Sequence, residues 1–315
     1  MQIYANHARW LFWRDEIDNV FKSLANKNID FLVLKGWVFG GDLYPNLGDR
    51  SIGDVDILIK SIQINDAILI LASLGFQLIS PKSEFSASQT IQDGYIPLAL
   101  NFLNEKGVTL DLHTHLLTSP WLLPVHPIEI NNLWREKTLF TDWTGATIYK
   151  LSLENNFLHL VSHIMRHGFN TQSIKSFQDS DRMLKKYMSV MDWKKVIERA
   201  SKWHLSNGTF FVCAVLNQLF NTAIPDEINI KLKPSKIRFY LFKKAFPLDF
   251  TKGKRKNKWF TVIIGKMILI DHPQDMLSSL IRPIFPNSEF IKALYGKPVS
   301  IFIHWFQLIK YGIQN

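Results

Sequence analysis

Cysteine is almost absent from this chain: its 315 residues include one, Cys213, inside the apolar run Phe210-Phe211-Val212-Cys213-Ala214-Val215. A lone thiol excludes a disulfide framework and a cysteine metal site, and it points to a reducing cytoplasm. Long apolar runs are missing too. Those present, such as Thr261 to Ile270 with its Lys266, fall short of the roughly 20 residues that span a bilayer. The opening residues, Met1 to His7, show no basic stretch followed by an apolar core, so no signal peptide is expected. There is no internal repeat, no Gly-x-Ser-x-Gly elbow and no Walker-type phosphate loop. Serine-centred catalysis of that kind and P-loop nucleotide binding are therefore excluded.

The residues that are present suit a globular protein. An apolar content of 47% with 20% charged residues rules out a disordered chain. The net charge of +10 is unevenly spread: between Lys231 and Lys258 lysine and arginine are dense, and Asp249 is the only acid. A solvated helix face plus a loop explains this plainly. The alternative is attraction to a polyanion or an anionic membrane surface, and charge alone does not choose. No RNA-recognition motif accompanies the basic stretch.

Apolar spacing (Trp10, Trp13, Ile17, Phe21, Leu24) predicts an amphipathic helix over 7–27. Ile29 to Leu34 reads as a buried strand. Lys35-Gly36 then opens a short helix to Leu43, broken at Tyr44-Pro45, and a turn-rich loop feeds the strand Asp54 to Lys60. A helix over 65–74 and two strands, 97–103 and 108–116, joined at Asn104-Glu105-Lys106-Gly107, complete the first part. The expected class is α+β: a mixed sheet with flanking helices. Helices follow, one capped by Ser152 and another by Asp192. The expected organisation is an α+β domain over 1–148 and a mostly helical, cleft-forming domain over 149–315.

The chemistry lies in carboxylates. Asp54 and Asp56, two residues apart on a strand, share a face. Adjacent carboxylates repel unless a cation lies between them, and oxygen donors suit Mg²⁺ completed by substrate phosphates. Asp111, in Thr109-Leu110-Asp111-Leu112-His113, is the candidate third carboxylate from a neighbouring strand, allowing two metals. Pairing of Asp56 with Arg50, and of Asp111 with a lysine, is the bland alternative. Gly36 at a helix start lets backbone amides approach a phosphate. Lys35, Arg50 and Ser51 are further candidates for the triphosphate, although Lys35 as a solvated lysine and an Arg50 bridge to Asp49 or Asp54 compete with that reading. His159, His163 and His167 form one helical stripe. No cysteine or well-placed acid completes a zinc site there, so a cleft lining, with His163 or His167 touching substrate or acceptor, is preferred. Arg166 is read as exposed. His113, on the face of Asp111, either orients an acceptor or is a satisfied buried histidine.

Leu34-Lys35-Gly36, Leu43-Tyr44-Pro45, Arg50, Asp54-Val55-Asp56-Ile57-Leu58-Ile59 and Leu110-Asp111-Leu112-His113 together resemble the uncharacterised nucleotidyltransferase family of the DNA polymerase β-like superfamily. The resemblance continues through the histidine helix Leu158 to Gly168, the Asp-x-x-Arg-hydrophobic segment Asp179 to Leu184, Met191-Asp192-Trp193, and a tail from Phe285 to Gly296. The segment Ser173 to Phe177 departs from the usual pattern. The resemblance implies a polymerase β-like sheet followed by a helical C-terminal region. It also implies nucleotidyl transfer with Mg²⁺ (Mn²⁺ as alternative), a nucleoside triphosphate with ATP as first choice, and a link to polysaccharide or modified-peptide biosynthesis. In the expected reaction Asp111 acts as base, an acceptor oxygen attacks the α-phosphorus, and Lys35 or Arg50 holds the departing pyrophosphate. The acceptor is a small molecule, glycan or peptide. Other classes of function are an inactive nucleotide- or partner-binding member and an RNA-directed transferase. The expected location is cytoplasmic, with attachment to the inner face of the membrane as a variant.

Overall fold

The computed structural model describes the chain except residues 1, 81–97, 118–124, 170–172, 247–264, 266, 282–283, 289–290, 292–294, 296–297 and 315. Helix α1 (Gln2–Asn26) starts five residues before the predicted helix and buries Trp10, Trp13, Ile17, Val20, Phe21 and Leu24 at three- and four-residue steps. Asn28, at φ 55°, reverses the chain into β1 (Phe31–Val33). Helix α2 (Lys35–Leu43) comes directly after it. Strand β2 (Val55–Ile59) is buried along its whole length, as a strand covered on both faces must be. Helix α3 (Ile64–Ser73) stops before Gly75 at φ 81°.

Strands β3 (Gln77–Ser80), β4 (Ala99–Leu103), β5 (Thr109–His113), β6 (Thr138–Thr141) and β7 (Thr147–Lys150) complete one seven-stranded sheet. Its order is β3-β4-β5-β2-β1-β7-β6. β4 and β5 form the expected hairpin, with Gly107 at φ 75° in the turn. β2 pairs antiparallel with β1 and parallel with β5, so the sheet is mixed as expected. The short helix α4 (Ile130–Arg135) precedes the β6–β7 hairpin, which the sequence pattern did not signal. Because β7 runs to Lys150, a division at 148 cuts through a strand.

The helical part comprises α5 (Leu153–His167), α6 (Ile174–Tyr187), α7 (Trp193–Lys202), α8 (Ser206–Phe220), α9 (Asp226–Lys231), α10 (Lys236–Ala245), α11 (Pro273–Ile281) and α12 (Ile301–Gln314). Ser152 and Asp192 cap α5 and α7 as predicted, through Asn155 N at 3.3 Å and Lys195 N at 2.9 Å. One buried apolar cluster runs continuously from Trp10 on α1 to Leu269, so sheet and helices share a core. Of the basic stretch, the end of α9 and all of α10 fall within the described residues, whereas 247–258 lies outside them. No helix among the described residues is long and apolar enough to cross a membrane.

Candidate active site

Parallel pairing of β2 and β5 sets Asp56 directly beside Asp111, and Leu58 beside His113. Two acids meet because each interrupts an otherwise apolar strand at the same register. Ligand atoms of Asp56, Asp111 and His113 lie within 4.8 Å of one another, the one such metal-competent group among the described residues. Asp54, expected as an equal partner, is not part of this tight group. It precedes β2, at the exposed rim.

Asp56 is the most occupied acid. Lys35 Nζ lies 3.2 Å from its Oδ1, and His113 Nε2 lies 2.8 Å from the same oxygen. Burial would raise this carboxyl, but Lys35 and the His113 hydrogen bond outweigh it and hold Asp56 well below the usual carboxylate range. Asp111 moves the other way. Burial raises it, Asn101 Nδ2 donates to its Oδ1 at 2.5 Å and pulls it down, and Asp56 pushes it up again. The Asp54 residue is solvent-exposed, yet its carboxyl is crowded enough by protein to rise, with Asp56 and Asp111 adding to the shift. Thus Asp54 and Asp111 are both raised, chiefly by burial, with neighbouring carboxylates adding to it. His113 Nδ1 is buried and has no hydrogen-bond partner among the described residues, which is unusual for a buried polar atom. Two carboxylates side by side, with a third close enough to feel them, fit a divalent cation of the Mg²⁺ type.

Lys35 is not a solvated edge lysine: its ammonium is on Asp56. Its φ of 38° is costly for a side chain with a Cβ and typical of functional positions. Gly36 has a reason the sequence did not reveal. A Cβ there would lie 2.9 Å from Arg50 Nη1, so glycine makes room for a guanidinium. Arg50 pairs with neither Asp49, Asp54 nor Asp56. It grips Asp179 of α6, with Nε to Oδ1 at 2.9 Å and Nη2 to Oδ2 at 2.8 Å, while Tyr44 Oη donates to the same Oδ1 at 2.7 Å. A second grip lies at Asp42, which receives Lys186, Tyr187 and Lys150. Residues of α6 therefore hold Asp42 within α2 and Tyr44 just beyond its end. Ser51 is exposed, and its carbonyl receives Lys175 Nζ at 3.5 Å.

The histidine stripe divides. His159 is 3% exposed, and burial, with Lys35 adding, holds its pKa well below the ordinary value. His163 is half-buried, meets Ser176 Oγ at 3.0 Å and lies 4.6 Å from the His167 ring. Burial, then Lys35 and Arg166, keep it neutral as well. Arg166 is not simply exposed. It is half-buried, contacts His167 Nε2 at 2.8 Å, and lies in the field of Asp56, Asp111 and Asp54. Lys175, beside Arg50 and Asp54, is similarly half-buried. Arg166 and Lys175 are the residues sequence reasoning missed. Helical spacing carried Arg166 three places after His163, whereas no local pattern marked Lys175.

A family model described as an uncharacterised nucleotidyltransferase matches residues 2–221. The chain belongs to this nucleotidyltransferase family. Like its family, it is a transferase that joins a nucleotide to an acceptor. Solved structures similar to the chain include the following three. The lincosamide antibiotic adenylyltransferase LnuA, lincomycin-bound, is 14% identical over 56% of this chain and 97% of that one, with TM-score 0.36. The antibiotic-resistance factor ANT(2'')-Ia is 12% identical over 59% and 89%, with TM-score 0.39. An antigenic nucleotidyltransferase-like protein from Paracoccidioides brasiliensis is 14% identical over 69% and 91%, with TM-score 0.40. Likeness at that level says nothing about what this nucleotidyltransferase modifies. No curated protein matches the chain.

Proposed function

We propose that this nucleotidyltransferase moves a nucleoside monophosphate from a nucleoside triphosphate, ATP first, to a hydroxyl or similar group of a small-molecule, glycan or peptide acceptor. The observation that supports this most is the side-by-side register of Asp56 and Asp111, with Asp54 pressing on both. Asp56 and Asp111, completed by Asp54, would hold Mg²⁺ or Mn²⁺. Bound there, the ion would withdraw charge from the phosphate oxygens and acidify the attacking hydroxyl.

The chain's own residues do the rest. Asp111, oriented by Asn101, takes the acceptor's proton as its oxygen bonds to the α-phosphorus. The bond from that phosphorus to the bridging oxygen breaks, and pyrophosphate leaves. Lys35, Arg166 and Lys175, brought in by α2, α5 and α6, neutralise the triphosphate; Ser51 and Gly36 line its approach. Arg50, committed to Asp179, acts by holding α2 rather than by touching phosphate. His113 orients Asp56, and His163, held neutral, faces the acceptor with His167 beside it. Positioning and charge carry most of the rate in such a scheme.

The decisive experiment titrates the full-length chain with each triphosphate in the presence and absence of Mg²⁺, then screens acceptors by mass for an added nucleotide. Asp56→Asn should abolish the metal-dependent part of binding and lower transfer by at least about a hundredfold. A mutant that transfers as fast as wild type sinks the proposal.

A further inference from the structure

The family match ends at residue 221, and α10 lies beyond it. Its ten residues, Lys-Ile-Arg-Phe-Tyr-Leu-Phe-Lys-Lys-Ala, give one helix two faces with different tasks. The inner face is fixed to the core. Phe242 is fully buried and stacks on Phe211, with ring centroids 3.8 Å apart and planes 8° from parallel. Ala245 is buried as well. Arg238 turns inward, its Nη1 donating to the carbonyls of Ile268 and Ile270. Ser235 caps the first turn at Arg238 N, 3.3 Å away. These contacts fix the roll of the helix, so the fold decides which side chains point outward.

On the outer face Ile237 is 74% exposed, Tyr240 56% and Leu241 39%. With the exposed Lys244 they stand at i, i+3, i+4 and i+7, the spacing of one helical stripe. Lys236 and Lys243, seven residues apart and both exposed, run along one edge of that stripe. Charge and apolar surface touch here. Lys244 Nζ lies 4.7 Å from the centre of the Tyr240 ring, and Lys243 Nζ 4.7 Å from that of Phe239. Residues 231–246 hold five lysines and one arginine and no acid. Among the described residues no acid pairs with any of these five lysines. The outer face of α10 is therefore an apolar stripe set among uncompensated ammonium groups.

We propose that the outer face of α10 docks this enzyme on an anionic lipid surface. The charge selects the occupant. Lys236, Lys243 and Lys244 meet lipid phosphates while their apolar stems lie along the interface, and Ile237 and Leu241 reach the acyl boundary between them. Tyr240 carries an apolar ring and a polar tip, which suits the headgroup layer. A second copy would bring two faces of like charge together, so self-association is disfavoured. A nucleic acid would match the charge, but Ile237 and Leu241 at the middle of the stripe offer it neither a hydrogen bond nor a stacking face. The inference does not rest on the proposed reaction.

Co-sedimentation of the full-length chain with phosphatidylcholine vesicles containing about a third phosphatidylglycerol tests it. The expected result is binding to these vesicles that falls as salt rises, with little binding to pure phosphatidylcholine. Lys243→Ala with Lys244→Ala should weaken binding about twenty-five-fold, roughly fivefold for each lysine near an anionic surface. Ile237→Ser with Tyr240→Ser should weaken it at least about tenfold while thermal unfolding stays at the wild-type temperature, since both side chains are more than half exposed. The lysine variant keeps the proposal testable should the apolar one not fold. Absence of binding to both vesicle types, equal binding to both, or a folded apolar variant that binds as wild type does would each overturn the proposal. So would single-stranded RNA that binds the chain more tightly than the vesicles do.

Discussion

Asp179→Asn is the substitution that most directly probes how the helical part holds the active site. The Asp179 side chain is 2% exposed and Arg50's is 6% exposed, so neither charge has water to fall back on. Asp179 accepts two guanidinium hydrogen bonds and one from Tyr44. The amide keeps the shape and one acceptor oxygen but removes the countercharge, leaving a buried guanidinium unpaired. Breaking a buried pair from one side costs about 3–5 kcal/mol, and the retained hydrogen bond puts this case near the lower end, about 3 kcal/mol. For a chain of this size that corresponds to a fall in Tm of roughly 4–5 °C, measured by calorimetry or far-UV circular dichroism. The loss should be strongly coupled. Arg50→Met alone should cost a similar amount, and Arg50→Met with Asp179→Leu less than either single change, because no buried charge then remains. Because Arg50 Nη1 abuts Gly36, a displaced guanidinium also shifts the first turn of α2, where Lys35 holds Asp56. Asp179→Asn should therefore lower kcat more than it raises KM for the triphosphate. An unfolding free energy within about 0.5 kcal/mol of wild type would refute this account of the pair.

Three further outcomes rest on separate features. Glu136 takes both Arg199 Nη atoms at 2.7 Å and Lys195 at 3.1 Å, and chiefly through Arg199 its pKa falls from 4.5 to about 2. A carboxylate depressed on folding stabilises the protein above its unfolded pKa and loses that contribution as pH falls through its folded one. Wild type should therefore lose about 1–2 kcal/mol between roughly pH 4.5 and 2 that Glu136→Gln never had, the value discounted because the group is partly solvated; equal acid profiles in urea titrations would contradict it. Gly40→Ala would drive a Cβ to 2.4 Å from the fully buried Trp10 ring, costing about 1–3 kcal/mol. Gly53→Ala meets nothing within 4 Å and should be nearly neutral. Equal stabilities for these two variants would refute the packing argument. Burial pushes the Cys213 thiol up to about 12, so the folded protein should resist iodoacetamide and react only on denaturation; prompt labelling of native protein would show that α8 opens.

The parts of this molecule legible in its sequence are those whose signal is local. Asp56 and Asp111 stand out because each breaks an apolar strand, and a lone carboxylate in such a run requires a partner wherever the strand lies. Ser152 and Asp192 were readable as caps because the cap and the amide it serves are three residues apart. The β6–β7 hairpin left no such trace, since its strands are mostly exposed and carry little alternation. The site contacts that escaped the sequence depend on chain reversals. Arg50 and its partner Asp179 are 129 residues apart, and nothing near Arg50 distinguishes a distant aspartate from the adjacent Asp49. Arg166 shares a helix with the histidines, but which side of α5 meets the carboxylates is decided by how that helix packs against the rest of the chain. Asp54 is the intermediate case. The two-residue period placed it on the face of Asp56; the strand begins only at Val55, and before it the period no longer fixes direction, yet its carboxyl still feels Asp56 and Asp111. A carboxylate just before a strand is freer to move than one inside it. Of the three acids, Asp54 can therefore adjust most as charge enters the site, and Asp56 and Asp111 are set by the sheet itself.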